Sequence, residues 1–226
     1  MKKFVFFLVL VSAMVYGPWT MDCISAEPVK EKGLVAYWSF DEGKGSTAKD
    51  QSGNGFNLEL ADQEWAKGKV GSALKFSGAA IELESSEKLQ LGDAISIEVW
   101  IYLEDKSGDY TGIVYKWSDY LFRIDNEAEG GKFSFFVNLD GGWEPRAWSV
   151  PPDLKKWYHV VGVWNGKKIS VYTNGEVVEN DRTGTPTAGA EPVKIGEGLI
   201  GLIDEVKIYN RALTADEVKA HFKAIK

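Results

Sequence analysis

The chain has 226 residues, 26% of them charged, and a formal net charge of −7. An acidic chain without a basic run is a poor partner for nucleic acid. A single cysteine excludes an internal disulfide framework.

The chain opens with Lys2 and Lys3, followed by an apolar run at 4–15, FVFFLVLVSAMV. Twelve residues are too few to cross a bilayer comfortably as a helix, and they fit the hydrophobic core of a secretory signal. The small residues Ser25 and Ala26 place cleavage after Ala26. Residues 1–26 are therefore read as a signal peptide, and the remainder as exported to the periplasm or the extracellular space. Cys23 leaves with the signal, so the mature chain must be held by its core and by any ion it binds. Loss of Lys2, Lys3 and Asp22 takes the formal charge to −8. Residues 27–32, EPVKEK, are a polar linker, and 33–226 are long enough for one domain.

From Gly33 onward, apolar and aromatic runs alternate with Gly, Asn, Asp and Pro, the punctuation of an all-β protein. Strands are expected at 34–40, 73–76, 95–103, 112–117, 120–125, 132–138, 157–164, 168–174 and 201–209. In 95–102, Ile95, Ile97, Val99 and Ile101 share one face, while Ser96, Glu98, Trp100 and Tyr102 share the other. Both faces are bulky, so one should enter the core and the other should meet a groove or a second layer. Asn165-Gly166 and Asn174-Gly175 supply the positive φ that tight hairpins need, so 157–178 reads as a three-stranded meander. Thr214 and Glu217 form a capping box that opens one helix, with Val218, Phe222 and Ile225 as its apolar stripe. Many strands and one short terminal helix imply a β-sandwich.

Several chemistries are missing. His159 and His221 form no zinc-type pair, and no Gly-x-Ser-x-Gly elbow or phosphate-binding Gly-Lys-Ser/Thr is present. The strand-borne Glu-x-Asp-x-x-Glu of sandwich glucanases is absent, and Glu98 is a lone strand carboxylate whose simplest role is structural. The acidic residues Asp41, Asp50 and Asp204 are different. Asp204 lies in an apolar strand, where a carboxylate is costly to bury without a partner or cation. KDQSGNG, from Lys49, offers carboxylate, amide and carbonyl oxygens of the kind calcium takes. Its residues equally suit an Asx-type turn, and composition leaves both readings open.

GLVAYWSFDEGKGSTAKDQSGNG, GKVGSALKFSG, ISIEVWIY, KWYHVVGVWNGKKISVYTNGE and GLIDEVKIYNRALTADEV occur in this order. Together they resemble the laminin-G-like group of concanavalin A-like lectin/glucanase domains, from about residue 33 to 222. The resemblance implies a jelly-roll sandwich of two antiparallel sheets, with the first and last strands adjacent. It further implies a structural calcium ion held by Asp41, Asp50, Asn54 and Asp204, with backbone carbonyls such as that of Gly55 completing the shell. Two departures stand out: Phe56 follows SGNG where a polar residue is frequent, and Ser77 stands where Asp is frequent.

Trp143 lies in a Gly- and Pro-rich loop, NLDGGWEPRAW, with no evident core for its ring. Trp117, Tyr120, Arg123, Asn138, Arg146 and Trp148 are near it in sequence. Flat rings stack on sugar faces, and Arg and Asn bond hydroxyls or carboxylates. The chain is therefore expected to be an exported, non-catalytic domain that binds a carbohydrate or glycoconjugate. The alternatives are a protein-interaction or adhesion domain of the cell envelope, with a flat, aromatic-poor concave face and a large apolar patch elsewhere, or a divergent glycan-processing enzyme with paired carboxylates at the concave groove, such as Glu98 with a neighbour from another strand.

Overall fold

The computed structural model describes residues 29–106 and 109–225. The signal peptide, Cys23 and the first two linker residues lie outside them. The described strands are β1 Leu34–Trp38, β2 Thr47–Ala48, β3 Leu58–Glu59, β4 Glu64–Lys67, β5 Ser72–Ser77, β6 Ile81–Leu83, β7 Ile95–Asp105 and β8 Thr111–Lys116. They continue as β9 Tyr120–Ile124, β10 Phe133–Val137, β11 Ala147–Trp148, β12 Trp157–Trp164, β13 Lys168–Thr173, β14 Glu176–Asp181, β15 Val193–Ile195 and β16 Ile200–Tyr209, and helix α1, Ala215–Ala224, follows. Every strand expected from the sequence is present. The unexpected ones are short pieces, such as β6, β11 and β15, that lack a run long enough to show alternation.

Two antiparallel sheets form the sandwich. The eight-stranded sheet has the order β14-β13-β12-β7-β16-β5-β4, and β1 pairs with the second half of β16. The six-stranded sheet has the order β11-β10-β9-β8-β15-β6, while β2 and β3 form a separate ribbon. This is the expected concanavalin A-like jelly roll, with the first and last strands side by side. Between the sheets, Ile95, Ile97, Val99 and Ile101 of β7 join Phe122, Phe133 and Phe135 in one core cluster. Burying side chains of this size stabilises by about 1.5–3 kcal/mol each. Gly162 allows the sheets to approach, because a Cβ there would lie 2.6 Å from the Phe135 ring. The meander closes as expected, with Asn174 and Gly175 at φ 52° and 86°.

The outer face of the eight-stranded sheet is covered by the chain's end. The predicted capping box of α1 is present in both directions, and Val218 is fully buried against Val161, Val163, Tyr172 and Tyr209. Phe222 stacks on Trp100 and His159, with centroids 5.9 and 5.8 Å apart. Beneath the helix, Glu98 bridges the two histidines: Oε1 lies 2.7 Å from His159 Nε2, and Oε2 lies 2.9 Å from His221 Nδ1. Their sequence separations hide this contact from motif reading. Glu98 is 3% exposed and its side-chain hydrogen-bond partners are histidines, so it is not paired here with a second carboxylate.

Burial alone would push Glu98 up, but the hydrogen bonds from His159 and His221 hold it well below the usual carboxylate range. The bond to Glu98 raises His221. A raised histidine contributes fully below its unfolded value near 6.5 and loses that contribution as pH climbs through its folded value. A depressed carboxylate contributes fully above its unfolded value near 4.5 and loses that contribution as pH falls through its folded value. The latch is therefore strongest between about pH 4.5 and 6.5. Thermal melts of His221→Gln against the parent chain should show a loss of about 1 kcal/mol near pH 5.5 that shrinks above neutrality. A deficit that is constant from pH 5 to 9 would show that the charged bond contributes nothing.

Candidate functional site

Strands β8 to β11 give alternate residues to the core, so the intervening ones form the outer face of the six-stranded sheet. Tyr115, Leu121 and Phe136 pack there into a small cluster, with Trp143 laid against it. Register explains the grouping: Tyr115 faces Leu121 across the β8–β9 ladder, and Leu121 faces Phe136 across β9–β10. Trp117, just beyond β8, is 58% exposed. Its ring lies 6.0 Å from Trp143 and 6.5 Å from Tyr115, edge-on to the latter. Two indoles thus stand on an aromatic floor, partly open to solvent. Trp148, also exposed, is separate from them, and the Lys132 ammonium sits 3.5 Å over its ring.

Beside this patch lies an ion-pair cluster. Arg123 donates from Nε to Asp125 at 2.9 Å and from Nη2 to Glu129 at 3.0 Å. Arg146 reaches Glu129 at 2.8 Å, Glu144 at 3.2 Å and Asp125 at 3.4 Å. Both guanidinium groups lie over Phe136, and Arg123 also lies over Tyr110. Asp125 accepts a further bond from Ser134 at 2.6 Å. Bonds from Tyr110 and the two arginines hold Glu129 below the usual carboxylate range.

The loop carrying Trp143 is anchored from below. Arg182 is buried and donates to the carbonyls of Val137, Gly142 and Glu144. Its own carbonyl accepts the Trp164 indole N–H at 2.9 Å. Sequence reasoning missed Arg182 because it lies almost forty residues past the loop, in a segment that shows only polar residues.

Two expected ligand contacts are corrected. Tyr120 points into the core, fully buried, and its hydroxyl donates to the Leu89 carbonyl at 3.1 Å. Two residues separate Trp117 from Tyr120, and the turn between them reverses the chain into β9. Asn138 is also buried, at a junction where its N–H donates to the Asp119 carbonyl and its carbonyl accepts from Thr187. Trp117, Arg123, Trp143, Arg146 and Trp148 do reach the outer face.

The expected calcium ligands fall into two groups. Asp50 Oδ1 accepts the N–H groups of Tyr37 and Ser52, and Oδ2 accepts the Ser52 hydroxyl and the Phe56 N–H. Asn54 turns its side-chain oxygen to Lys88 Nζ at 2.7 Å and its amide to the Val35 carbonyl. These oxygens are engaged by protein donors, so the KDQSGNG loop does not fit the ion as expected, and the Asx-turn reading accounts for Asp50. Gly55, at φ 83°, serves the bend. Asp41 and Asp204 instead converge on the turn before β5. Asp204 Oδ2 accepts from Lys69 and Val70 at 2.9 and 3.0 Å, and Asp41 Oδ1 accepts from Ser72 at 3.1 Å. A Cβ on Gly71 would come within 2.0 Å of that Asp41 oxygen.

Asp204 Oδ1 and Glu42 Oε2 are buried without a hydrogen-bond partner. Burial pushes the Asp204 carboxyl up to about 7 against the pull of its two N–H donors, with Glu205 and Asp41 adding repulsion. A bulge at Glu205, φ 54°, breaks the ladder between Asp204 and Lys207. Among the described residues, no three His, Cys, Asp or Glu side chains gather into a cation cage. Any ion here would therefore depend largely on backbone oxygens. The unpartnered oxygen of Asp204 is the feature that fits such an ion.

Two antiparallel sheets packed face to face, with the first and last strands adjacent, define the concanavalin A-like jelly-roll class. The chain belongs to the laminin-G-like family of the concanavalin A-like lectin/glucanases superfamily, whose model matches residues 76–219. No curated protein matches it in sequence. Among solved structures, the chain is similar to the binding domain of Paraclostridial Mosquitocidal Protein 1, with 17% identity, a TM-score of 0.69, and coverage of 85% of this chain and 52% of that one. It is similar to the binding domain of botulinum neurotoxin DC in complex with SialylT, at 14% identity, TM-score 0.63, and 86% and 51% coverage. It is also similar to domain 4 of AbnA, an extracellular arabinanase from Geobacillus stearothermophilus, in complex with arabinotriose, at 23% identity, TM-score 0.60, and 83% and 97% coverage. These likenesses are of fold. The chain spans about half the length of the two toxin chains.

Arg182→Lys replaces a planar fork that reaches three carbonyls from two separate nitrogens with one compact ammonium on a shorter side chain, which cannot span the same acceptors. It should cost about 1–3 kcal/mol, as expected when buried acceptors lose their donors, and should speed amide exchange in 139–146 more than in β7. Exchange that rises equally everywhere would mean that Arg182 has no special hold on the loop.

Proposed function

We propose that the chain is an exported, non-catalytic carbohydrate-binding domain whose ligand seats on Trp117 and Trp143. The observation that carries this reading is the exposed Trp117 ring, 6.0 Å from Trp143 and backed by Tyr115. Sugar rings present C–H faces that pack on indoles, while their hydroxyls bond neighbouring polar groups. The arabinotriose complex of the arabinanase domain shows a similar fold, in a different protein, with a sugar chain bound. The outer face of the six-stranded sheet is rich in aromatic rings, which favours the sugar reading over a protein-interaction one. Export rests on the apolar run at 4–15 and the small residues before residue 27.

We further propose that a structural calcium ion is held at Asp204 and Asp41, away from the Asp50 loop. There it would offset the charge of the buried carboxylate and fasten β16 to the turn before β5.

A glycan array should return at least one bound sugar for the parent chain, and Trp117→Ala and Trp143→Ala should each weaken that binding about tenfold, or about 1.4 kcal/mol, with little change in Tm. Undiminished binding by both variants would remove the site. For the ion, Tm should rise with free calcium in the parent chain and stay flat in Asp204→Asn. Equal melting of the parent chain in calcium and in chelator would remove the ion from the account.

A further inference from the structure

The charge balance around the two indoles bears on which sugars they accept. Recognition of a sialic or uronic acid is strongly favoured by a free cation, best of all an arginine fork. Arg123 and Arg146 are the arginines beside the patch, and both are engaged with Asp125, Glu129 and Glu144. Three carboxylates against two guanidinium groups leave that cluster net negative. Lys194 is held between Glu82 and Glu197, and Glu197 also receives the Tyr115 hydroxyl beneath Trp117. Glu191 accepts the hydroxyl of Ser118, the residue next to Trp117, at 3.0 Å. Lys132 lies over Trp148 and away from the pair. The indoles are therefore bordered by carboxylates, and the arginines nearest them are already neutralised.

We propose that the Trp117–Trp143 site takes neutral sugar chains and rejects anionic ones. This rests on the glycan-binding reading above. Apolar stacking supplies the affinity, and the carboxylate border supplies the discrimination, a repulsive element set against the wrong ligand. An incoming carboxylate would have to break an existing ion pair to gain a new one while facing like charges at short range. Neutral hydroxyls face no such opposition, and the carboxylates can accept hydrogen bonds from them. The arginines, held by bonds and by stacking on Phe136, act as rigid supports for the floor.

Affinity electrophoresis of the full chain tests this directly. The gels carry arabinan, xylan or β-glucan as neutral probes, and polygalacturonate, alginate or hyaluronan as anionic probes, at 20 and 300 mM NaCl. At least one neutral polymer should retard the protein, to the same extent at both salt concentrations. The Trp117→Ala variant should lose most of that retardation, and the anionic polymers should cause none. Glu144→Gln removes one carboxylate charge beside Arg146, cancelling the cluster's excess negative charge, and should gain at least threefold in retardation by an anionic polymer at low salt. Salt-sensitive retardation of the parent chain by anionic polymers alone would overturn the neutral preference while leaving a glycan-binding domain. Absence of the Glu144→Gln gain would overturn the carboxylate border as its cause. Retardation by neither set would remove the glycan reading, and this inference with it.

Discussion

A strand that gives every second side chain to a shared core must give the others to something else, and that constraint organises the whole molecule. In β7 the isoleucines and Val99 go inward, which leaves Ser96, Glu98 and Trp100 on a face that cannot stay wet at such bulk. The chain's own last residues cover it: the Ser96 hydroxyl donates to the Arg211 carbonyl and accepts the Leu213 N–H, and Phe222 covers Trp100 and His159. The six-stranded sheet solves the same problem without a helix. Its outward Leu121, Tyr115 and Phe136 are roofed only by a loop tryptophan and two arginines. One outer face is closed by the fold, and the other is left partly open.

Polar groups follow the same economy. Beside this open face, Glu129, Glu82 and Glu191 meet guanidinium groups, an ammonium and a hydroxyl, while Asp41, Asp50 and Asp204 near the amino-terminal loops accept from backbone N–H groups. Asp50 alone gathers three backbone N–H donors and a serine hydroxyl, which fixes the 50–56 turn without any ion. In the core, Lys116 and Asp119 form a fully buried pair, and Asp119 also accepts from Leu91 and Gly189. Such a pair tolerates burial because its remaining hydrogen-bonding capacity is used. Against this background the buried oxygens of Asp204 and Glu42 that lack a partner stand out among the described residues, and the proposed cation would lie against the first of them.

The sandwich was legible because long strands such as 95–103 and 157–164 show period-two alternation and the Asn-Gly pairs mark their turns. The helix was legible from Thr214 and Glu217. Short strands such as β11 and β15 were not, since two or three residues carry no period. For the site, the indoles could be found as bulky rings in loops, but whether a neighbour faces in or out depends on strand phase. Tyr120 begins β9 on the inward phase, and that phase is set by a turn whose geometry the residue types do not announce. The Glu98–His159–His221 contact, the Arg182 anchor and the engagement of Asp50 all join distant segments or backbone atoms. They follow from register and topology, which no local pattern carries.

On the proposed reading, the open aromatic face, and not the helix-covered one, receives a sugar chain. The indole N–H resonances report on it, because Trp117 and Trp143 stand on one face and Trp100 lies under α1 on the other. Titration of the 15N-labelled protein with an oligosaccharide of the polymer it binds should shift the Trp117 and Trp143 indole signals in parallel and leave Trp100 unmoved. Saturable shifts at Trp100, with Trp117 and Trp143 unchanged, would contradict the account.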